Sequence, residues 1–278
     1  MEQTSYQTRL RQHLAEYRRT RLGVREMGVW RRNGKKYAHI LPETLKRLNI
    51  LETVRAEFWT YQTAKSVKLH DDFHHLNSSQ AICFNLLFPL FGWQYRDPAH
   101  LFRALNLGDA AVLDWGFEHV VDSAENTHFD FFAKLGSGER LLFETKLSEN
   151  GFGQAKIDSR HLRKLREIYI PMLRGKIGPS YLEPPLFFQH YQLLRNIAYA
   201  EPSGRKCVFF LMPRDNFSLQ RELTFLKSAL SPDMRAVVRV VWLEDLVRQL
   251  KRGVREPMLA AHLALFEEKY VLGTASSK

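Results

Sequence analysis

The sequence predicts an α/β fold built on a mixed sheet, and three observations carry that expectation. Residues 129–135 and 140–147 alternate apolar and polar side chains on either side of Gly136-Ser137-Gly138, the pattern of two strands joined by a turn rich in the residue that tolerates positive φ. Cys207-Val208-Phe209-Phe210-Leu211-Met212 is a short continuous apolar run, as in a strand buried on both faces. Around these lie segments with apolar residues three and four apart, so helices and strands alternate along the chain.

Taken in order, residues 7–19 have helical spacing, and Pro42 opens a second helical stretch carrying Leu45, Leu48, Ile50, Leu51 and Val54. Residues 1–70 thus read as a basic helical extension, leaving 71–278 for the α/β domain. Residues 70–75 are polar and predict a loop. Asn77-Ser78-Ser79-Gln80 has the form of a helix cap followed by an amide that reaches back, and the following body, 81–91, is apolar on nearly every side and should be wrapped by other elements. Residues 112–121 predict a strand with Trp115, Phe117, His119 and Val121 alternating against Glu118 and Val120. After the hairpin, 157–173 has helical spacing interrupted at Pro171, and 187–200 forms another helix behind Pro184-Pro185. A helix at 219–230, a strand at 236–243, helices at 244–252 and 257–270 and a frayed tail at 273–278 complete the chain.

Composition narrows the class. A hydrophobic content of 45% with 26% charged residues excludes a largely disordered chain. The longest nearly apolar stretch, 81–93, is shorter than the ~20 residues needed to cross a bilayer, and residues 1–21 carry no apolar signal core. A cytoplasmic protein with no membrane role is the expectation. Cys83 and Cys207 sit among apolar neighbours, which suits buried thiols better than a bridge or a zinc site. The net charge of +11 attracts polyanions without distinguishing DNA from RNA or acidic lipid. Residues 1–36 hold ten Lys/Arg against three Glu, a local net of +7 that is either a solvated basic face or an arm gripping phosphates. No Gly-x-x-x-x-Gly-Lys-Ser/Thr loop occurs, so an ATP-driven motor would come from another chain.

The hairpin is the segment with chemical content. If it folds symmetrically about Ser137, residues whose numbers add to 274 lie opposite each other, and Asp130 faces Glu144. Phe129, Phe131, Ala133 and Leu135 then share a core-forming face with Leu141, Phe143 and Leu147, while Asp130, Lys134, Arg140, Glu144 and Lys146 share the other. Two carboxylates placed opposite each other on a sheet repel. A divalent cation, with Lys146 two residues beyond Glu144, would offset that repulsion, and hard cations such as Mg²⁺ favour such oxygen donors. An ordinary hairpin with a charged outer face is the competing account. His74 and His75 are adjacent, so they point in different directions and do not form a joint metal site.

Phe129-Asp130, a glycine hairpin and Phe143-Glu144-Thr145-Lys146 together resemble the Asp…Glu-x-Lys motif of the PD-(D/E)XK nuclease superfamily, which includes many restriction and repair endonucleases. The superfamily's order of helix, three antiparallel strands, helix and strand matches the segments from residue 77 to 212. Residues 74–85 (HHLNSSQAICFN) with Phe152-Gly153 are also similar to a group of uncharacterised bacterial restriction-endonuclease-like proteins, over roughly residues 70–215. One departure is Phe129, which stands where the motif has proline. The resemblance implies a restriction-endonuclease-like core that hydrolyses DNA with Mg²⁺ or Mn²⁺, with Asp130, Glu144 and Lys146 catalytic and the two acids holding the metal. It also implies a role in restriction or defence, a homodimer or a defence-system partner protein, and, as the alternative, a nucleic-acid-binding module that has lost catalysis. The further acid of many members falls to Glu118, or second to Gln80, either of which could equally be structural. Gln192, on one helix face with Asn196, matches a polar residue that holds a phosphate or water, though a solvent-facing amide would look the same. Arg160, Arg163 and Lys164, flanked by His161 and Arg166, form either a DNA-backbone clamp or a solvated helix face.

Overall fold

The computed structural model describes residues 5–122, 125 and 127–273, so residues 1–4 and the expected tail beyond Gly273 lie outside the described residues. By contacts the chain divides into two compact units, one of residues 1–109, 213–216 and 242–278, the other of residues 110–212 and 217–241.

The first unit begins with α1 (Tyr6–Thr20), where the Ser5 hydroxyl accepts the Thr8 amide proton at 3.3 Å and Tyr6, Leu10, Leu14 and Tyr17 form the buried stripe. Arg18, beside that stripe, is itself buried and donates to the carbonyls of Ala38, Val24 and Glu26 at 2.7, 2.7 and 2.5 Å. One of the ten cations in residues 1–36 is therefore a structural clip and not part of a phosphate-gripping surface. A two-stranded ribbon, β1 (Gly28–Trp30) and β2 (Lys35–Tyr37), follows. The helical stretch expected after Pro42 is divided into a 3-10 turn (Glu43–Asn49) and α2 (Arg55–Lys65). The reason is that the Leu51 amide donates to the Asn85 side chain at 2.8 Å in place of a carbonyl one turn back.

Residues 80–91 of α3 (Ser79–Phe91) are all buried, as the all-round apolar pattern requires. Its cap is Ser78, whose hydroxyl accepts from the Ala81 amide. Gln80 accepts from the His70 amide and donates to the Lys68 carbonyl, both at 2.9 Å, pinning the 68–70 loop. Phe58 of α2 packs on Phe84 and Phe88 of α3, with ring centroids at 4.8 and 5.3 Å. Residues on both sides of position 70 thus share one core, and the compact units do not divide there. Next comes α4 (Ala99–Ala104).

The second unit holds the sheet: β3 (Val112–Asp122), β4 (Thr127–Leu135) and β5 (Arg140–Thr145) are antiparallel neighbours, and after the helices β6 (Lys206–Met212) lies parallel to β5 with β7 (Val238–Trp242) beyond it. The mixed α/β sheet is as expected. The helical segment before Pro171 comprises α5 (Ser159–Lys164) and a π-turn (Leu165–Tyr169); Pro171 opens α6 (Ile170–Leu173) without stopping the chain's helical course. The helix expected over 187–200 is two, α7 (Pro184–Gln189) and α8 (Tyr191–Ala198), broken at His190 with φ −116° and ψ 31°. His190 is fixed there by an ion pair with Glu222 and by its ring stacked 3.6 Å from Phe225, both on α9 (Phe217–Ala229).

The chain returns to the first unit with α10 (Leu243–Gly253) and α11 (Pro257–Tyr270). The Tyr270 hydroxyl accepts from Asn85 at 2.8 Å, and the buried Lys269 ammonium donates to the Asn49 carbonyl and side chain at 2.6 and 2.8 Å. No helix among the described residues is long and apolar enough to cross a membrane.

Candidate active site

The hairpin pairs as its glycine turn dictates. Phe131 is opposite Phe143, Phe132 opposite Leu142 and Lys134 opposite Arg140, so Asp130 and Glu144 are the next pair beyond the last ladder contact. There the Asp130 carboxylate takes over from the ladder and accepts the Thr145 amide proton at 2.6 Å. Glu144, 4% exposed, is held at both oxygens: Lys146 lies 2.8 Å and the Gln192 amide 2.8 Å from Oε1, and Asn196 donates to Oε2 at 3.0 Å. Lys146 also approaches the Gln192 carbonyl oxygen at 3.4 Å and sits over the Phe152 ring at 5.9 Å.

Three elements deliver these groups. β5 sits between β4 and β6, and the Lys146 amide extends its pairing by donating to the Leu211 carbonyl at 2.8 Å. Gln192 and Asn196 are one turn apart on α8, whose Leu193, Leu194 and Ile197 are buried, so both amides point the same way. The Gln192 backbone N–H donates to the Gly153 carbonyl at 3.2 Å. Gly153 has φ +106°, and a Cβ there would lie 3.0 Å from the Gln192 Oε1, so glycine allows the close approach.

The charges are strongly coupled. Burial, reinforced by Glu144 and Glu118 and opposed by Lys146, pushes the Asp130 carboxyl well above the usual aspartate range. Burial by itself would lower the Lys146 ammonium, but Glu144, Glu149 and Asp130 outweigh it and hold the group above the ordinary lysine value. Glu149, not among the sequence candidates, accepts the Leu147 amide proton at 2.6 Å and so fixes the backbone beyond Lys146. A carboxylate four residues past the end of β5 was the available signal.

The structure thus brings Asp130, Glu144, Lys146 and Gln192 together, with Asn196 joining them. Glu118 lies on β3 between Phe117 and His119, which pair with Phe131 and Phe129, so its register position is opposite Asp130. Its φ is +52°, which breaks the alternation: Phe117 packs on Phe131 at 5.1 Å while His119 stacks on Phe132 at 3.8 Å, on the other side of β4. The expectation that Phe117 and His119 share a face is corrected accordingly. Gln80, the second candidate for the further acid, belongs to the first unit and is occupied by its loop contacts. Arg160 and Arg163, with Ser159, Arg166 and Glu167, line an open concavity of about 600 Å³. Lys164 is turned elsewhere, with its ammonium 2.8 Å from Glu125. Among the described residues no group of three or more His, Cys, Asp or Glu side chains is arranged to hold a metal ion.

A five-stranded mixed sheet that aligns two acids and a lysine at its centre is compatible with a restriction-endonuclease-like fold. Over residues 11–271 the chain matches the family described as restriction endonuclease associating with ARP, and it belongs to that family. No curated protein and no solved structure matches it.

Proposed function

We propose that this protein is a metal-dependent endonuclease of the PD-(D/E)XK type that hydrolyses DNA phosphodiester bonds in a restriction or defence setting. The observation that carries the reading is the convergence of Asp130, Glu144, Lys146 and Gln192 from two strands and a helix on one side of the sheet. The donor set fits Mg²⁺ or Mn²⁺: two facing carboxylates are hard oxygen ligands, and such ions keep several waters, so two acids and a backbone carbonyl suffice. Asp130 and Glu144 would hold the ion, with Glu118 adding negative charge beside them, and the ion when bound would supply Lewis-acid polarisation of the phosphate and a lowered pKa for water.

The remaining work falls to this chain's own groups. Lys146 keeps its proton and places a positive charge where negative charge develops on the phosphate. Gln192 and Asn196 fix the Glu144 carboxylate, and Gln192 links it to Lys146, so carboxylate and ammonium are set in advance of substrate. Arg160 and Arg163, with Arg166, bind DNA phosphates and position the backbone. The test is incubation of supercoiled plasmid with the purified protein in Mg²⁺, in Mn²⁺ and in chelator. Nicking or linearisation that needs the metal and is lost in Glu144→Ala is expected, and cleavage that survives the chelator would overturn the reading.

The family description, which names ARP as an associate, favours a second reading in which cleavage needs that partner protein. Binding without cleavage by the isolated chain, with cleavage restored on adding ARP, would select it.

A further inference from the structure

We infer that the β1–β2 ribbon is a nucleic-acid-binding element that places Arg32, Lys35 and Lys36 against the phosphates of a duplex groove. Between Gly28 and Tyr37 the sequence has four cations and no acid. Arg31, Arg32, Lys35 and Lys36 are all exposed. Arg31 lies 3.3 Å from Glu43, whereas among the described residues no carboxylate pairs with the other three. The ribbon forms its own two-stranded sheet, with Val29 opposite Lys36 and Trp30 opposite Lys35. Such a ribbon has the width that the major groove of B-DNA, ~12 Å across, admits.

The ribbon is also rigid, which distinguishes it from a solvated basic tail. At the tip, the Asn33 and Gly34 amides donate to the Trp30 carbonyl at 3.2 and 2.8 Å, and the Asn33 side chain donates to the Tyr37 hydroxyl at 2.7 Å and accepts from the Lys35 amide at 3.0 Å. At the root, the Gly28 amide donates to the Ile40 carbonyl at 2.8 Å, and a Cβ on Gly28 would lie 2.0 Å from the Leu41 oxygen. The flank is pinned by the Trp30 indole N–H donating to Asp72 at 3.2 Å, by a His74 Nε2 contact with the Val29 carbonyl at 3.0 Å and by the three carbonyls held by Arg18. Cations on a pre-ordered frame lose less conformational freedom on meeting a polyanion than cations on a mobile chain, which raises affinity per contact. Within residues 1–36, Arg11 and Arg25 are exposed singly elsewhere, whereas Arg32, Lys35 and Lys36 are gathered on this ribbon.

The inference rests on the DNA substrate proposed above and is tested apart from it. Equilibrium binding of a labelled duplex is measured as a function of salt, in Ca²⁺, for wild type and for the triple variant Arg32→Ala/Lys35→Ala/Lys36→Ala, with thermal unfolding as the folding control. Single-turnover cleavage at saturating protein is measured in Mg²⁺. Each lost phosphate contact lowers the log–log salt slope by ~0.9, so the triple variant should lose roughly 2–3 units of slope with weaker binding at low salt. A folded triple variant with an unchanged slope overturns the ribbon inference and leaves the nuclease reading intact if the wild type cuts. Loss of slope in a wild-type background that binds without cutting supports the ribbon and removes the nuclease reading. A wild type that binds no duplex overturns both, and if that wild type binds an acidic polypeptide that the folded variant no longer binds, the ribbon belongs to a protein partner instead.

Discussion

Replacing Lys146 with alanine separates catalysis from binding. The ammonium lies 2.8 Å from Glu144 and the side chain is 11% exposed, so it belongs to the proposed reaction centre and adds little to the long-range field made by the protein's many exposed cations. Removing one member of a buried ion pair costs ~3–5 kcal/mol of stability in general. Here both Glu144 oxygens keep an amide donor, from Gln192 and Asn196, so the loss should fall at about the lower end of that range. On the reaction, withdrawal of one well-placed positive contact to a developing charge lowers the rate by ~10²–10³, or roughly 3–4 kcal/mol. Single-turnover cleavage in Mg²⁺ and DNA affinity in Ca²⁺ are measured on folded protein, with Lys146→Met as the variant that keeps the bulk over Phe152. The expected result is a collapse of the rate with DNA affinity within a few-fold of wild type. Equal proportional loss of binding and cleavage, or wild-type rates in either variant, would refute the role given to Lys146.

Three further outcomes follow from the geometry. Glu144→Ala should abolish Mn²⁺ uptake by titration calorimetry, because Asp130 alone is a poor site for a hard cation; equal affinity in the two proteins would exclude Glu144 as a ligand. Arg163→Ala should flatten the salt dependence of DNA binding by ~0.9 in log–log slope while Lys164→Ala leaves it unchanged, since Arg163 is exposed in the concavity and Lys164 is paired with Glu125. His262 is buried and neutral, burial lowering its pKa to about 4, so its contribution to stability is full above the unfolded value near 6.5 and is lost as pH falls towards 4; denaturant titrations at pH 8 and pH 5 should differ by about 2 kcal/mol on its account, and His262→Gln should remove that part of the difference.

The candidate site was legible because its geometry is local. A glycine turn centred on Ser137 sets the register, period-two alternation sets the faces, and the lysine two residues past Glu144 is carried by the same strand. What lies off that strand was legible only in part. Asn196 could be read as the helix-face mate of Gln192, but its bond to Glu144 depends on how α8 docks on the sheet, which no spacing encodes. Lys164 and Arg163 are adjacent and chemically alike, and only the fold sends one to Glu125 and leaves the other in solvent. The β1–β2 strands have three residues each, too few to show an alternation, and the one sequence signal was the Asn33-Gly34 turn pair. The burial of Arg18 had no signal, since the carbonyls it binds come from residues 24, 26 and 38, brought round by the ribbon.

Glu118 shows where the local rules give way, and the manner of the failure is informative. Uniform alternation would carry Phe117 and His119 on one face and leave β3 a regular edge strand. The chain instead holds a non-glycine residue at φ +52° at the register position facing Asp130, a conformation that costs on the order of 1–3 kcal/mol and persists only where neighbours enforce it. The enforcing contacts are visible on both sides: Phe117 is committed to Phe131 and Trp115, while the His119 ring is committed to Phe132. The register remains continuous through the break, with Phe117 opposite Phe131 and His119 opposite Phe129, so the strain changes the direction of the backbone without shifting Glu118 away from Asp130. Glu118, Asp130 and Glu144 therefore occupy matching positions on three consecutive strands, and Glu118 adds to the charge that opposes ionisation of Asp130. Under the proposed function, Glu118 in that position would add negative charge beside a cation held by the facing pair Asp130 and Glu144.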